Sequence, residues 1–288
     1  MKMATYSAPL LLGASLIACG GDDASSGRLR VLLAAEETIS NGLAAGPGEE
    51  DTKDFGVTYT KYVVAIGKVA LARSAPKLAL ASDTVYIADM RQVGEQGLPL
   101  VTFDDLRPGQ WDQLGYQTPV ATASNQKLAG VSDADAQGMI DKQLSYWIEG
   151  TVNVPGKPVS FVLQVAVPTV YSDCENNGQP GVAVSEGGVS STTLTLHGDH
   201  LWFDSLVRGD ESTVTRRTHW LVDADVDGDG KVVTEDLALV PAEKVFPGSE
   251  YNLSGGAIPI VTALDFVRAQ LSTQGHINGE GECQAVLQ

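Results

Sequence analysis

Between residues 28 and 196 the apolar side chains come in short bursts rather than long periodic stretches. Residues 28–35, 57–66, 68–72, 84–88 and 98–103 are rich in Val, Leu, Ile, Tyr and Phe, and Gly, Pro, Asn and Asp separate them. That rhythm predicts strands joined by turns. The stretch "LRPGQWDQLGYQ" places a Pro108-Gly109 turn before Trp111, Leu114 and Tyr116, as the return arm of a hairpin requires. Residues 146–167 read as strand, turn and strand. In "VSSTTLTLHGDH" strict alternation puts Leu194 and Leu196 on one face and Thr193, Thr195 and His197 on the other. Two helices are predicted, at 132–143 with Ser132 as cap and at 263–273. The second has Thr262 as its N-cap, Asp265 as the capping-box partner and Gly275 at its end. The pattern as a whole predicts a mainly β chain: an antiparallel β-sandwich over residues 29–196, with a C-terminal loop and helix appendage, residues 197–288, packed on it.

The first residues follow a different logic. A charged start at Lys2, an apolar run over residues 8–18 broken only by Pro9, Gly13 and Ser15, and small residues before Cys19 predict an export signal over residues 1–18, too short to span a bilayer. Leu16-Ile17-Ala18-Cys19 resembles the bacterial lipoprotein lipobox. The resemblance implies acylation of Cys19 and a membrane held through that lipid. Residues 19–28, rich in Gly, Ser and Asp, then read as a flexible tether. Gly20, where an inner-membrane retention signal has Asp, points to the outer membrane of a cell envelope.

Composition narrows the partners. The 288 residues carry a formal charge of −17, and removal of residues 1–18 makes it one unit more negative. Such a surface repels nucleic acid and suits soluble cations or basic partners. With Cys19 acylated, Cys174 and Cys283 remain, and in an oxidising compartment an isolated pair predicts a disulfide tying the C-terminus to the middle of the chain.

The most specific motif is "DADVDGDGKVVTED", residues 223–236. Calcium takes six to eight oxygens, and an EF-hand loop supplies them from positions 1, 3, 5, 7 and 12 with Gly at 6. Starting at Asp225 puts Asp225, Asp227 and Asp229 at 1, 3 and 5, Gly230 at 6, the Lys231 carbonyl at 7 and Asp236 at 12. The loop resembles EF-hand and dockerin-type loops, the latter because Asp closes it. Pro241 allows an outgoing helix of barely one turn, which favours a structural calcium over a switch.

All four histidines fall in the last third. His197 and His200, separated by two residues in "HGDHLWFD", have the spacing of a half-site for copper or zinc. His276, held near by the expected disulfide, is the third candidate ligand and His219 an optional fourth, with Asp199, Glu280 or Glu282 to supply oxygen or orient an imidazole. The Leu106-Arg107-Pro108-Gly109-Gln110-Trp111 return is similar to one in transthyretin-like and copper-chaperone-like envelope sandwiches. Trp202 beside paired histidines resembles the MbnP-like copper proteins, which implies a metal site near an aromatic ring but assigns no ligand here.

The sequence has no Gly-x-Ser-x-Gly elbow, phosphate-binding glycine loop, His-Glu-x-x-His helix or paired Cys-x-x-Cys. Binding is therefore expected rather than catalysis, and a metal-assisted oxidation or hydrolysis at His197 and His200 is the enzymatic alternative. A different class of function is a surface adhesion or carbohydrate-binding module. Its calcium would be only structural, and Trp111 and Trp147 would touch a protein or glycan partner.

Overall fold

The computed structural model describes residues 25–48, 51–94, 96–128, 130–207 and 213–288. The export signal, the acylation site Cys19 and the first part of the tether lie outside them. The chain is mainly β. In order it forms β1 (Gly27–Ala35), β2 (Val57–Arg73), β3 (Leu78–Ala81), β4 (Val85–Asp89), β5 (Leu98–Leu106), β6 (Gly109–Trp111), β7 (Gln113–Thr118), β8 (Gln126–Lys127) and β9 (Tyr146–Val152). Then follow β10 (Val159–Val165), β11 (Thr169–Ser172), β12 (Glu175–Asn176), β13 (Gln179–Pro180), β14 (Val182–Val184), β15 (Val189–Leu196), β16 (Lys231–Val233), β17 (Gly275–Ile277) and β18 (Gln284–Leu287). The helices are α1 (Glu37–Asn41), α2 (Asp133–Asp141), α3 (His219–Asp223), α4 (Thr234–Leu239), α5 (Ala242–Val245) and α6 (Ala263–Leu271).

A four-stranded sheet runs β17-β15-β1-β5, and a ten-stranded sheet runs β16-β10-β9-β2-β7-β11-β18, with β3 and β4 pairing to β2 and β8 to β4. The sheets are not purely antiparallel as expected: β1 pairs β15, β10 pairs β16 and β4 pairs β8 in parallel. The first strand lies in the middle of its sheet, between partners far along the chain. Its Leu29, Val31 and Leu33 are accordingly buried, while Arg28 and Arg30 point out. Gly27 and Arg28 belong to this strand and not to the tether. A side chain at Gly27 would meet the Ser185 carbonyl at 2.3 Å, so the glycine permits the close approach rather than flexibility.

The runs at 57–66 and 68–72 form one strand, β2, whose register slips between Gly67 and Ala70 where Lys68 takes a left-handed φ of 49°. Its residues 62–66 are buried on both faces. Tyr62, Val64 and Ile66 enter the main core, while Val63 and Ala65 pack with Ile87 beneath Ala136 and Met139 of α2. Cover on both sides explains an unbroken apolar run where a half-exposed strand would alternate. Ser132 caps α2, as its position implied, by accepting from Asp135 N.

The Pro108-Gly109 turn does not close a hairpin. Strand β5 pairs with β1, β6 pairs with β14, and β7 pairs with β2 and β11, so this turn carries the chain from one sheet to the other. Turn chemistry is the same in both cases, and the partner strand decides.

Among the described residues the C-terminal region shares its core with the rest of the chain. It adds β17 to the smaller sheet and β16 and β18 to the larger, and Trp220, Phe246, Phe266 and Leu271 share one apolar cluster with Leu33, Tyr59 and Phe161. Cys174 and Cys283 form the expected disulfide, beside the pairing of β11 with β18. The reciprocal capping box of Thr262 and Asp265 starts α6. The helix stops at Leu271, and Gly275 lies beyond it in β17.

Candidate metal centre

Three elements bring His197, His200 and His276 together. His197 directly follows β15, His200 lies in the 3-10 turn Asp199–Trp202, and His276 sits in β17 opposite Thr195. One imidazole nitrogen of each lies within 4.8 Å of the others. The side chains are buried, at 2%, 4% and 1% exposure, although alternation had placed His197 on a polar face. The His197 and His276 rings stack with centroids 4.1 Å apart, and His200 stands edge-on to both. A tetrahedral ion about 2.1 Å from each nitrogen sets the nitrogens about 3.4 Å apart, so loading requires closure by up to about 1.4 Å.

The local chain is built to hold these rings. A side chain at Gly198 would strike Ile39 Cγ1 at 2.7 Å, so glycine lets the turn lie on α1. Tyr59 Oη donates to the Gly198 carbonyl at 2.8 Å and accepts from Trp202 Nε1 at 2.7 Å, and burial raises its pKa far above the usual tyrosine value. His200 Nδ1 lies 2.9 Å from Thr273 Oγ1. His197 Nε2 donates to the Gly279 carbonyl at 3.0 Å, which fixes its tautomer and aim in the way metal-ligating histidines are usually held.

Carboxylates surround the cluster. The parallel register pairs Ala35 with Leu196, so Glu36 and His197 leave adjacent strand ends side by side, with Glu36 Oε1 3.7 Å from His197 Nδ1. Glu36, His197 and Glu280 also bring ligand atoms within 4.8 Å of one another. Burial alone would lower the pKa of His197, but Glu36, Asp199 and Glu280 outweigh it and raise it. Burial, then repulsion from Asp199, raises that of Glu36. Asp199 itself is buried and accepts from Arg216 Nε at 2.7 Å, so it also holds an ion pair.

His219 is not part of the cluster. Its Nδ1 lies 2.8 Å from Asp54 Oδ2, where the half-buried carboxylate is held below its ordinary pKa chiefly by its bonds to His219 against the opposing effect of burial. Glu36, Asp54 and Arg216 were not singled out by the sequence: single charged residues at strand ends and in loops carry no local mark.

In the acidic loop Asp225, Asp227 and Asp229 place carboxylate oxygens within 4.8 Å of one another. Gly228 and Gly230 take left-handed φ values of 73° and 82°, the turns that aim these side chains inward. The Asp225 side chain is 3% exposed. Its Oδ2 accepts from Gly230 N at 3.1 Å, and its buried Oδ1 has no hydrogen-bond partner among the described residues. Asp236 Oδ2 accepts from Val233 N at 2.8 Å and caps α4. Lys231 opens β16, and the Gly230 carbonyl accepts from Ser160 N of β10, so the loop is fastened to the edge of the large sheet.

The aromatic residues considered for partner binding are not both free. Trp111 is 1% exposed, with Nε1 donating to the Arg107 carbonyl, and Trp147 is half-buried with Lys61 Nζ 3.9 Å above its ring. Searches against protein families, curated proteins and solved structures gave no match to this chain.

Proposed function

We propose that this is a cell-envelope metal-binding protein, held to a membrane, in our reading the outer one, by a lipid on Cys19. The imidazoles of His197, His200 and His276 take one copper or zinc ion, and the loop at Asp225 takes calcium. The two sheets are read as the halves of a sandwich that carries both sites. The supporting observation is convergence: three of the four histidines turn to one buried point from three separate elements. Imidazole suits copper and zinc, and three such ligands leave a coordination position open. Calcium draws on Asp225, Asp227 and Asp229, with the Lys231 carbonyl and Asp236 as further oxygens. By neutralising the acidic loop it steadies α3, whose Trp220 packs 5.6 Å from Trp202, two residues beyond His200. The role is binding rather than catalysis.

Elemental analysis by plasma mass spectrometry, on the chain beginning at residue 20 and purified without a histidine tag or chelator, tests both sites. Near-stoichiometric calcium plus copper or zinc is expected. His200→Ala and His276→Ala should lose the transition metal and keep the calcium. Calcium alone in the unaltered chain refutes the three-histidine centre, and a melting temperature identical in excess calcium and in chelator refutes the calcium loop.

A further inference from the structure

We propose that Glu36, His197 and Glu280 form a second, outer cation-binding position that captures a divalent ion from solvent and passes it to the buried histidines. The inference rests on the three-histidine centre as the destination. The three groups bring one ligand atom each within 4.8 Å, and their convergence has a backbone cause. Pairing of Ala35 with Leu196 sets Glu36 beside His197, and the turn after β17, with Asn278 and Gly279 at φ 51° and 85°, folds Glu280 over the same spot.

Access separates this position from the inner one. A groove of about 380 Å³ is lined by Glu36, His197, Gly279 and Glu280, together with Glu37 and Asn278, and neither His200 nor His276 lines it. Glu280 is exposed and Glu36 half-buried, so the carboxylates meet solvent while the other two imidazoles lie behind. His197, 2% exposed yet lining the groove, is the one side chain common to both groups.

The donor sets match that order. Two carboxylates and one imidazole are a harder, more weakly discriminating set that accepts a hydrated divalent cation, and three imidazoles hold copper or zinc more selectively. With Asp199 paired to Arg216, the two glutamates supply the negative charge at the mouth and concentrate cations there. An ion bound by Glu36, His197 and Glu280 exchanges carboxylate oxygens for the nitrogens of His200 and His276 while His197 retains it. Protons held by Glu36 or the imidazoles leave to solvent as the ion binds, and the exchange changes no oxidation state.

Copper(II) added to the full chain is the probe, followed by rapid mixing and by electron paramagnetic resonance. Glu36→Gln with Glu280→Gln is expected to slow loading about tenfold or more, with the nitrogen-rich end state still reached. Glutamine keeps the shape of both side chains and can still accept from Thr38 Oγ1, which now binds Glu36 Oε2 at 2.6 Å, so the fold is not at issue. His200→Gln with His276→Gln should trap copper at the outer position, with a one-nitrogen, oxygen-rich signal that disappears when the two glutamates are also changed. Wild-type loading rates in the glutamate variant, or no copper bound by the histidine variant, overturn the proposal. If the unaltered chain itself shows only one nitrogen on copper, the three-histidine centre fails, and the outer position still stands if the glutamate variant abolishes that signal.

Discussion

Gly275 opens β17 one residue before His276 and is the tightest test of how that histidine is held. A Cβ there would lie 2.4 Å from Tyr171 Cε1 and 2.6 Å from Tyr116 Oη, where carbon contacts normally settle at about 3.5–4.0 Å. Both rings are fully buried and stacked with centroids 4.7 Å apart. Tyr116 is held further by donating to the His276 carbonyl at 3.0 Å. Neither ring can swing into solvent, so Gly275→Ala has to push the strand away by roughly 1 Å. Overpacking of this kind costs about 1–3 kcal/mol, and the smaller conformational freedom of unfolded alanine returns about 0.4–1 kcal/mol. The net expectation is destabilisation by about 1–2 kcal/mol. Because the displaced residue is one of the three proposed ligands, zinc affinity is expected to fall at least about tenfold as well. Guanidinium unfolding followed by tryptophan fluorescence reads the first effect, and competition with a chromophoric chelator reads the second. A variant within about 0.5 kcal/mol of wild type that binds zinc equally well would refute the steric reasoning.

Two further outcomes follow from the same packing. The Cys174–Cys283 bridge closes a sequence separation of 109, so Cys174→Ser with Cys283→Ser is expected to lower unfolding stability by up to about 4–5 kcal/mol; a loss below about 1 kcal/mol would show that the bridge does not restrain the unfolded chain as supposed. Lys61 Nζ lies 2.6 Å from Asp135 and 3.1 Å from Glu149. Burial alone would raise the pKa of Asp135, but hydrogen bonds from Lys61 and Ser132 outweigh it and hold it below the ordinary 3.8. Its contribution to stability is therefore complete above that value and is lost as pH falls through the lower folded one. Lys61→Met should flatten this acid limb in unfolding curves taken below pH 4, and equal slopes for the two proteins would sink the assignment.

Features written in local chemistry were legible in the sequence. The Thr262 and Asp265 box, the Ser132 cap and the lone cysteine pair each involve an interaction that a few residues or a residue count specify. Pairing partners were not legible. The parallel alignment of β1 with β15 leaves no mark in either strand, and a Pro-Gly turn looks alike whether it closes a hairpin or crosses between sheets. The centre divides the same way. The spacing of His197 and His200 drew attention to that turn, and the expected disulfide drew attention to His276. Glu36 came from a register that cannot be read locally, and His219, read as an optional fourth ligand, meets Asp54, to which nothing near it in sequence points.

The central place of β1 also sets an order of events. A strand made early has to wait for β15 before its second edge is covered, and topologies dominated by such distant pairs fold slowly. His276 arrives later still, on β17, the outermost strand of that sheet. A partly emerged chain therefore offers only the two histidines of one turn, and the third ligand joins them when assembly is nearly complete. On the proposed function, tight metal retention then becomes a certificate of finished folding, issued from the far end of the polypeptide.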